Sequence, residues 1–136
     1  MKTKKMNFPS KDRPHPDLLV VEDNEANMKF LLFILQRFNL SFQKAYSGEE
    51  AVDIIENQDF SGMLFDINLG EGISGIELMQ KVRKKERFSE TPIIAVTAYF
   101  GDNFEEELLK KGFSDYLGKP YVLDQLKKIL NKNRIL

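Results

Sequence analysis

Cysteine is absent from the 136 residues, which excludes a disulfide framework and any thiolate metal site. No apolar run is long enough to span a bilayer, so a membrane is not an expected partner. Lys and Arg total 20 against 21 Asp and Glu, a formal net charge of -1. The basic excess that nucleic-acid binding requires is therefore missing. The single histidine, His15, lies between Pro14 and Pro16 with no second ligand residue beside it, which argues against catalysis or metal binding there. Internal repeats and low-complexity tracts are also lacking. The length suits one domain that buries roughly two-thirds of the surface its unfolded chain exposes. A cytoplasmic protein is the expectation.

Residues 1–16 carry Lys2, Lys4, Lys5, Lys11 and Arg13 among Pro9, Pro14 and Pro16. This composition predicts a flexible basic arm and lacks the apolar core of a secretory signal. The folded domain is expected over 17–136. Leu18-Leu19-Val20-Val21 reads as a strand buried on both faces. Asn24 is placed to cap a helix in which Met28, Leu31, Leu32, Leu35 and Phe38 recur at helical spacing. Phe42 to Tyr46 reads as a second strand near a sheet edge, and Ser47-Gly48-Glu49-Glu50 has capping-box spacing before the next helix.

Gly62 to Asp66 predicts a third buried strand that ends on a carboxylate and opens into Leu69-Gly70-Glu71-Gly72-Ile73-Ser74-Gly75. Ser74 and Glu77 repeat the capping box, and Lys81, Arg83, Lys84, Lys85 and Arg87 read as a solvated face near that helix's C-terminus. Ile93 to Val96 is a fourth strand ending on Thr97. Asp102 or Asn103 can cap the acidic helix Phe104 to Lys111, which Gly112 closes. Phe113 to Leu117 reads as a fifth strand, and Val122, Leu123, Leu126, Ile129 and Leu130 make the last helix amphipathic.

Five strand-helix repeats specify an α/β fold: a doubly wound, five-stranded parallel sheet with helices on both faces and right-handed crossovers. Sites in such sheets form outside the C-terminal ends of the strands. Glu22-Asp23, Asp66, Thr97 and Lys119 all fall there, so three carboxylates, a hydroxyl and an ammonium converge. Like charges about 4 Å apart repel by roughly 4 kcal/mol at an effective dielectric near 20, so these acids imply a cation. Oxygen ligands of this kind suit Mg2+. The set fits phosphoryl transfer to a carboxylate, with Asp66 as nucleophile and Lys119 and Thr97 on the phosphoryl oxygens. Taken singly, Thr97 could end a strand, Tyr116 could be a core aromatic and Lys119 could precede a turn proline. Together those bland readings leave the three acids crowded and unpartnered.

Leu19-Val20-Val21-Glu22-Asp23-Asn24 with Asn27, the strand ending in Asp66, Val96-Thr97-Ala98, and Gly112-Phe113-Ser114-Asp115-Tyr116-Leu117-Gly118-Lys119-Pro120 together resemble the receiver domain of the two-component response-regulator family. The resemblance covers Asp17 to about Lys132. It implies a flavodoxin-like sheet of strand order 2-1-3-4-5 and Asp66 as phosphoacceptor. It further implies Mg2+ held by Asp23, Asp66 and the backbone carbonyl of Asn68, with Glu22 acting nearby through water. Thr97 and Tyr116 become a switch pair, Lys119 a bridge to the phosphate, and Lys119-Pro120 a cis bond. The implied partners are a histidine kinase or histidine phosphotransfer protein, and a downstream protein that meets the fourth helix, fifth strand and fifth helix. Phe100, Phe104, Tyr116 and Tyr121 are expected to form an exposed aromatic surface there.

Two features depart from the family pattern. The loop after Asp66 has Gly where proline is usual and is one residue longer, and the second acid is Glu22 rather than Asp. A flavodoxin-like nucleotide binder is disfavoured because Glu22-Asp23 would repel phosphate. A haloacid-dehalogenase-like phosphatase needs a second Asp where this chain has Asn68. The expectation is a single-domain regulator without an output domain, not an enzyme in the sense of turning over a diffusible substrate. The alternatives are a receiver excised from a hybrid histidine kinase and a receiver-like binding module that is not phosphorylated.

Overall fold

Apolar runs too short for helices and too continuous for half-exposed strands form the centre of the molecule. The computed structural model describes residues 15–99, 101 and 103–136. The arm expected over 1–16 lies outside them apart from His15 and Pro16, as do Phe100 and Asp102. Strands β1 (Leu18–Val21), β2 (Phe42–Ala45), β3 (Gly62–Asp66), β4 (Ile93–Thr97) and β5 (Asp115–Gly118) form one parallel sheet in the order β2-β1-β3-β4-β5. Helices α1 (Glu25–Arg37), α2 (Gly48–Ile55), α3 (Gly75–Arg83), α4 (Phe104–Lys111) and α5 (Leu123–Lys132) fill the crossovers.

Every residue of β1, β3 and β4 is buried, and alternate positions feed two cores. Leu19, Val21, Met63, Phe65, Ile93 and Ala95 pack against α2, α3 and α4. Leu18, Val20, Leu64, Ile94 and Val96 face Met28, Leu31 and Leu35 of α1 and Leu126 and Leu130 of α5. Each such large side chain contributes roughly 1.5–3 kcal/mol of burial. Capping follows the expected pattern in three helices: Asn24 Oδ1 accepts from Asn27 N at 2.8 Å, Ser47 Oγ from Glu50 N at 3.1 Å, and Ser74 with Glu77 closes a full capping box.

Three expectations need correction. Asn103 heads α4 with left-handed backbone (φ 61) and makes no side-chain cap bond, because capping geometry requires an extended residue there. The fifth strand begins at Asp115, not Phe113, since Ser114 Oγ takes the Ile93 N–H at 3.1 Å and the ladder starts with Ile94 opposite Asp115. Arg83 is not part of a solvated face. Its guanidinium donates to Phe88 O (2.8 Å), Thr91 O (2.6 Å) and Gly112 O (3.0 Å), gathering α3, the 3-10 turn Glu86–Phe88 and the end of α4. A planar fork of donors suits carbonyls left over at helix ends.

Candidate functional site

The sheet delivers its chemistry at one rim because four of its five strands stop on, or just before, a charged or hydroxyl residue. Beyond β1, the Glu22 N–H still pairs with Ala45 O at 3.1 Å, while its Oε2 accepts from Asn24 N at 3.0 Å. Asp66 ends β3, and its Oδ1 accepts from Asn68 N at 3.1 Å. Thr97 ends β4, and its hydroxyl accepts from Tyr99 N at 3.0 Å. Lys119 N donates to Thr97 O at 2.8 Å, which continues the β4–β5 pairing and brings the lysine to the rim. The following Lys119-Pro120 bond is cis, as expected.

The side chains then meet. Lys119 Nζ lies 2.8 Å from Asp66 Oδ2 and 2.9 Å from Glu22 Oε1. One oxygen each from Glu22, Asp23 and Asp66 falls within 4.8 Å of the others. Glu22 and Asp66 are buried, whereas Asp23 is exposed. Three carboxylates against one ammonium leave a formal charge of -2. Oxygen-only donors with that surplus, one of them open to solvent, fit a hard divalent cation.

The protonation shifts follow from the same crowding. Burial pushes the Glu22 carboxyl above its usual range, against the pull of the Asn24 N–H and Lys119, and the Asp66 charge adds to the push. Burial alone would lower the Lys119 ammonium, yet its bonds to Asp66 and Glu22 carry it above its ordinary value. Lys119 is therefore a fixed positive charge at neutral pH.

Thr97 is buried, and Tyr116 is half-buried against the same core as α2–α4. Their strands pair with Ala95 opposite Tyr116 and Thr97 opposite Gly118, which puts the hydroxyl and the ring diagonally on neighbouring strands. The aromatic surface expected on this side is divided. Phe104 and Tyr116 pack on one core and Tyr121 on the other, all three half-buried. Tyr99, 60% exposed, lies edge-on to Phe104 with centroids 4.6 Å apart and presents the open ring instead. Burial pushes the Tyr121 phenol up to about 12. A cleft of about 360 Å³ opens beside the lysine, between Asn27 and Phe30 of α1 and Tyr121.

The Gly-rich loop is shaped by close approach. A Cβ at Gly75 would stand 2.2 Å from Asp66 O, so α3 can start against the β3 terminus only without a side chain there. Gly70 and Gly72 adopt positive φ (73 and 90), and Asn68 Oδ1 accepts from Gly70 N at 3.2 Å. Glu49 Oε2, from the first turn of α2, accepts from Ile73 N at 3.0 Å. Sequence reasoning missed the contributions of Glu49, Gly75 and Tyr99. For Gly75 a signal existed, a glycine at the first helical position directly after a capping serine.

Comparison with known proteins agrees with this geometry. A family model described as response regulator receiver domain matches residues 18–131. The polar-differentiation response regulator DivK of Brucella ovis is 33% identical over 103 residues, covering 76% of this chain and 83% of DivK. The signal transduction histidine-protein kinase BarA of Escherichia coli K12 is 32% identical over 113 residues, 83% of this chain, although the chain spans only 12% of BarA's length. Among solved structures, the receiver domain of a Pseudomonas aeruginosa sensor histidine kinase, crystallised with a magnesium ion coordinated in its active site cleft, superposes with a TM-score of 0.78. It is 30% identical, with 87% of this chain and 96% of that one covered. The chemotaxis response regulator CheY4 of Vibrio cholerae shares the fold at a TM-score of 0.80 and 24% identity, with 90% of this chain and 99% of that one covered.

Proposed function

The chain belongs to the response regulator receiver family, and from that premise we propose that Asp66 accepts a phosphoryl group from a phosphohistidine on a histidine kinase or histidine phosphotransfer protein. The observation that carries this is the rim itself, where Lys119 is shared at 2.8 and 2.9 Å between Asp66 and Glu22, with Asp23 beside them. An Asp66 oxygen attacks phosphorus, the P–N bond breaks, and the imidazole leaves with the bonding pair and takes up a proton. Lys119 and the Thr97 hydroxyl meet the transferred oxygens. Asp23, Asp66 and the Asn68 carbonyl are assigned to hold Mg2+, with Glu22 acting through water. The ion supplies charge neutralisation at the phosphoryl oxygens.

New charge on Asp66 draws Thr97 inward and lets Tyr116 change rotamer, biasing a two-state equilibrium read by a downstream protein on the α4-β5-α5 face. The domain so assigned covers residues 17–136, acts in the cytoplasm and turns over no diffusible substrate. Among the described residues no helix is long and apolar enough to cross a membrane. The match to BarA supports a second placement, as the receiver portion of a hybrid kinase.

Incubation with Mg2+ and phosphoramidate, read by intact mass, tests the reading. A one-phosphoryl gain in wild type that is absent in Asp66→Asn is the expected result. No gain in the wild type would leave a binding module that is not phosphorylated.

A further inference from the structure

The loop after Asp66 carries two left-handed glycines and no proline, so contacts from elsewhere must hold its shape. Two contacts from the start of α2 do so. A Cβ at Gly48 would stand 2.3 Å from Ile73 Cγ1, so the bare backbone of α2 is what admits the Ile73 side chain. The next residue, Glu49, takes the Ile73 N–H at 3.0 Å, and its carboxylate lies where a Gly72 side chain would be, 2.6 Å from the Cβ position. The other end of the loop is fixed by Asp66 Oδ1 on Asn68 N and Asn68 Oδ1 on Gly70 N. Between these anchors Gly70 passes close to Asp23, with Asp23 Oδ2 only 3.2 Å from the Gly70 Cβ position.

We propose that Glu49 is a positioning residue for the metal site. By clamping Ile73 N–H, its carboxylate holds the long Gly-rich loop so that Asn68 and Gly70 stay beside Asp66 and Asp23. This rests on the assignment of Mg2+ to that rim. Glu49 touches neither the phosphoryl group nor the ion. It stands on a different helix, exposed to solvent, and acts only through the loop.

The test compares Mg2+ dissociation constants of wild type, Glu49→Ala and Glu49→Gln by isothermal titration, with exchange of the Ile73 amide proton followed by NMR in metal-free protein. Glu49→Ala is expected to weaken Mg2+ binding by roughly threefold to tenfold, the worth of one ordinary solvent-exposed hydrogen bond, and to speed Ile73 exchange. Glu49→Gln keeps an acceptor oxygen and is expected to stay within about twofold of wild type. A role confined to stability would lower the melting temperature of Glu49→Ala and leave its Mg2+ affinity unchanged, which overturns the proposal. Equal weakening in Glu49→Ala and Glu49→Gln overturns it too, by making charge the cause instead of loop position. Wild-type protein that fails to bind Mg2+ refutes the metal assignment itself, an outcome distinct from either.

Discussion

Replacing Lys119 with methionine removes the ammonium that bridges Asp66 and Glu22 while keeping most of the side chain's volume. At 2.8 and 2.9 Å, each of its contacts amounts to about 6 kcal/mol of attraction at an effective dielectric near 20. Most of that gross figure offsets the cost of taking the charges out of water. Breaking a fully buried pair costs roughly 3–5 kcal/mol, because the remaining acid is left uncompensated. Lys119 retains 22% side-chain exposure, which places Lys119→Met at the low end, about 3 kcal/mol. For a domain of this size that lowers the melting temperature by roughly 10 °C in EDTA. Saturating Mg2+ then restores more stability to the variant than to the wild type, since the variant's carboxylates keep only the Asn24 and Asn68 N–H groups and have lost their ammonium; ligand at a hundredfold its dissociation constant gives about 2.7 kcal/mol. Thermal unfolding by circular dichroism, with and without Mg2+, reads both effects. A variant as stable as wild type in EDTA, or an equal Mg2+ gain in the two proteins, would refute the reasoning.

Other perturbations separate scaffold from chemistry. Arg83→Met takes the guanidinium from the carbonyls of Thr91 and Gly112 and leaves that of Phe88 with the Thr91 N–H alone, and should cost roughly 2–3 kcal/mol in urea denaturation while leaving the phosphorylated mass peak at full yield. Gly75→Ala places a methyl carbon 2.2 Å from Asp66 O. It should lose both stability and phosphorylation, and normal yield in a folded variant would show that this contact does not position Asp66. The Tyr121 phenol, raised to about 12 from 10.0 by burial, holds its proton more tightly folded than unfolded. The stability this contributes is complete below pH 10 and declines as pH rises toward 12. Tyrosinate absorbance in wild type and Tyr121→Phe should differ by one late-titrating group.

Helix count, the parallel sheet and the rim itself were legible because they rest on local signals: continuous apolar runs, serine and asparagine caps, and acids directly after strands; the strand order came only with the family resemblance. Glu22, Asp23, Asp66, Thr97 and Lys119 were each found by asking what stands at a strand's end. What stayed hidden depends on contacts between residues distant in sequence. Arg83 sits in a basic run whose neighbours are mostly exposed, and only the fold brings Thr91 and Gly112 around it. Glu49 looks like any acidic residue in a helix's first turn until the loop 24 residues later arrives against it. The aromatic face failed for a related reason. Residues alternating along an edge strand and its loops go to opposite layers, so Tyr116 and Tyr121 each sink partly into a different core. Ile135, buried against Gly62 and Leu18 beyond the last helix, belongs to the same class.

Glu22 has one oxygen on the Lys119 ammonium and the other on the Asn24 amide that opens α1. A single side chain thus couples the grip on the lysine to the anchoring of a helix. Any change at the ammonium is thereby two contacts away from the amide that opens the helix. The onset of the helix and the charge at the rim therefore hang on one and the same carboxylate.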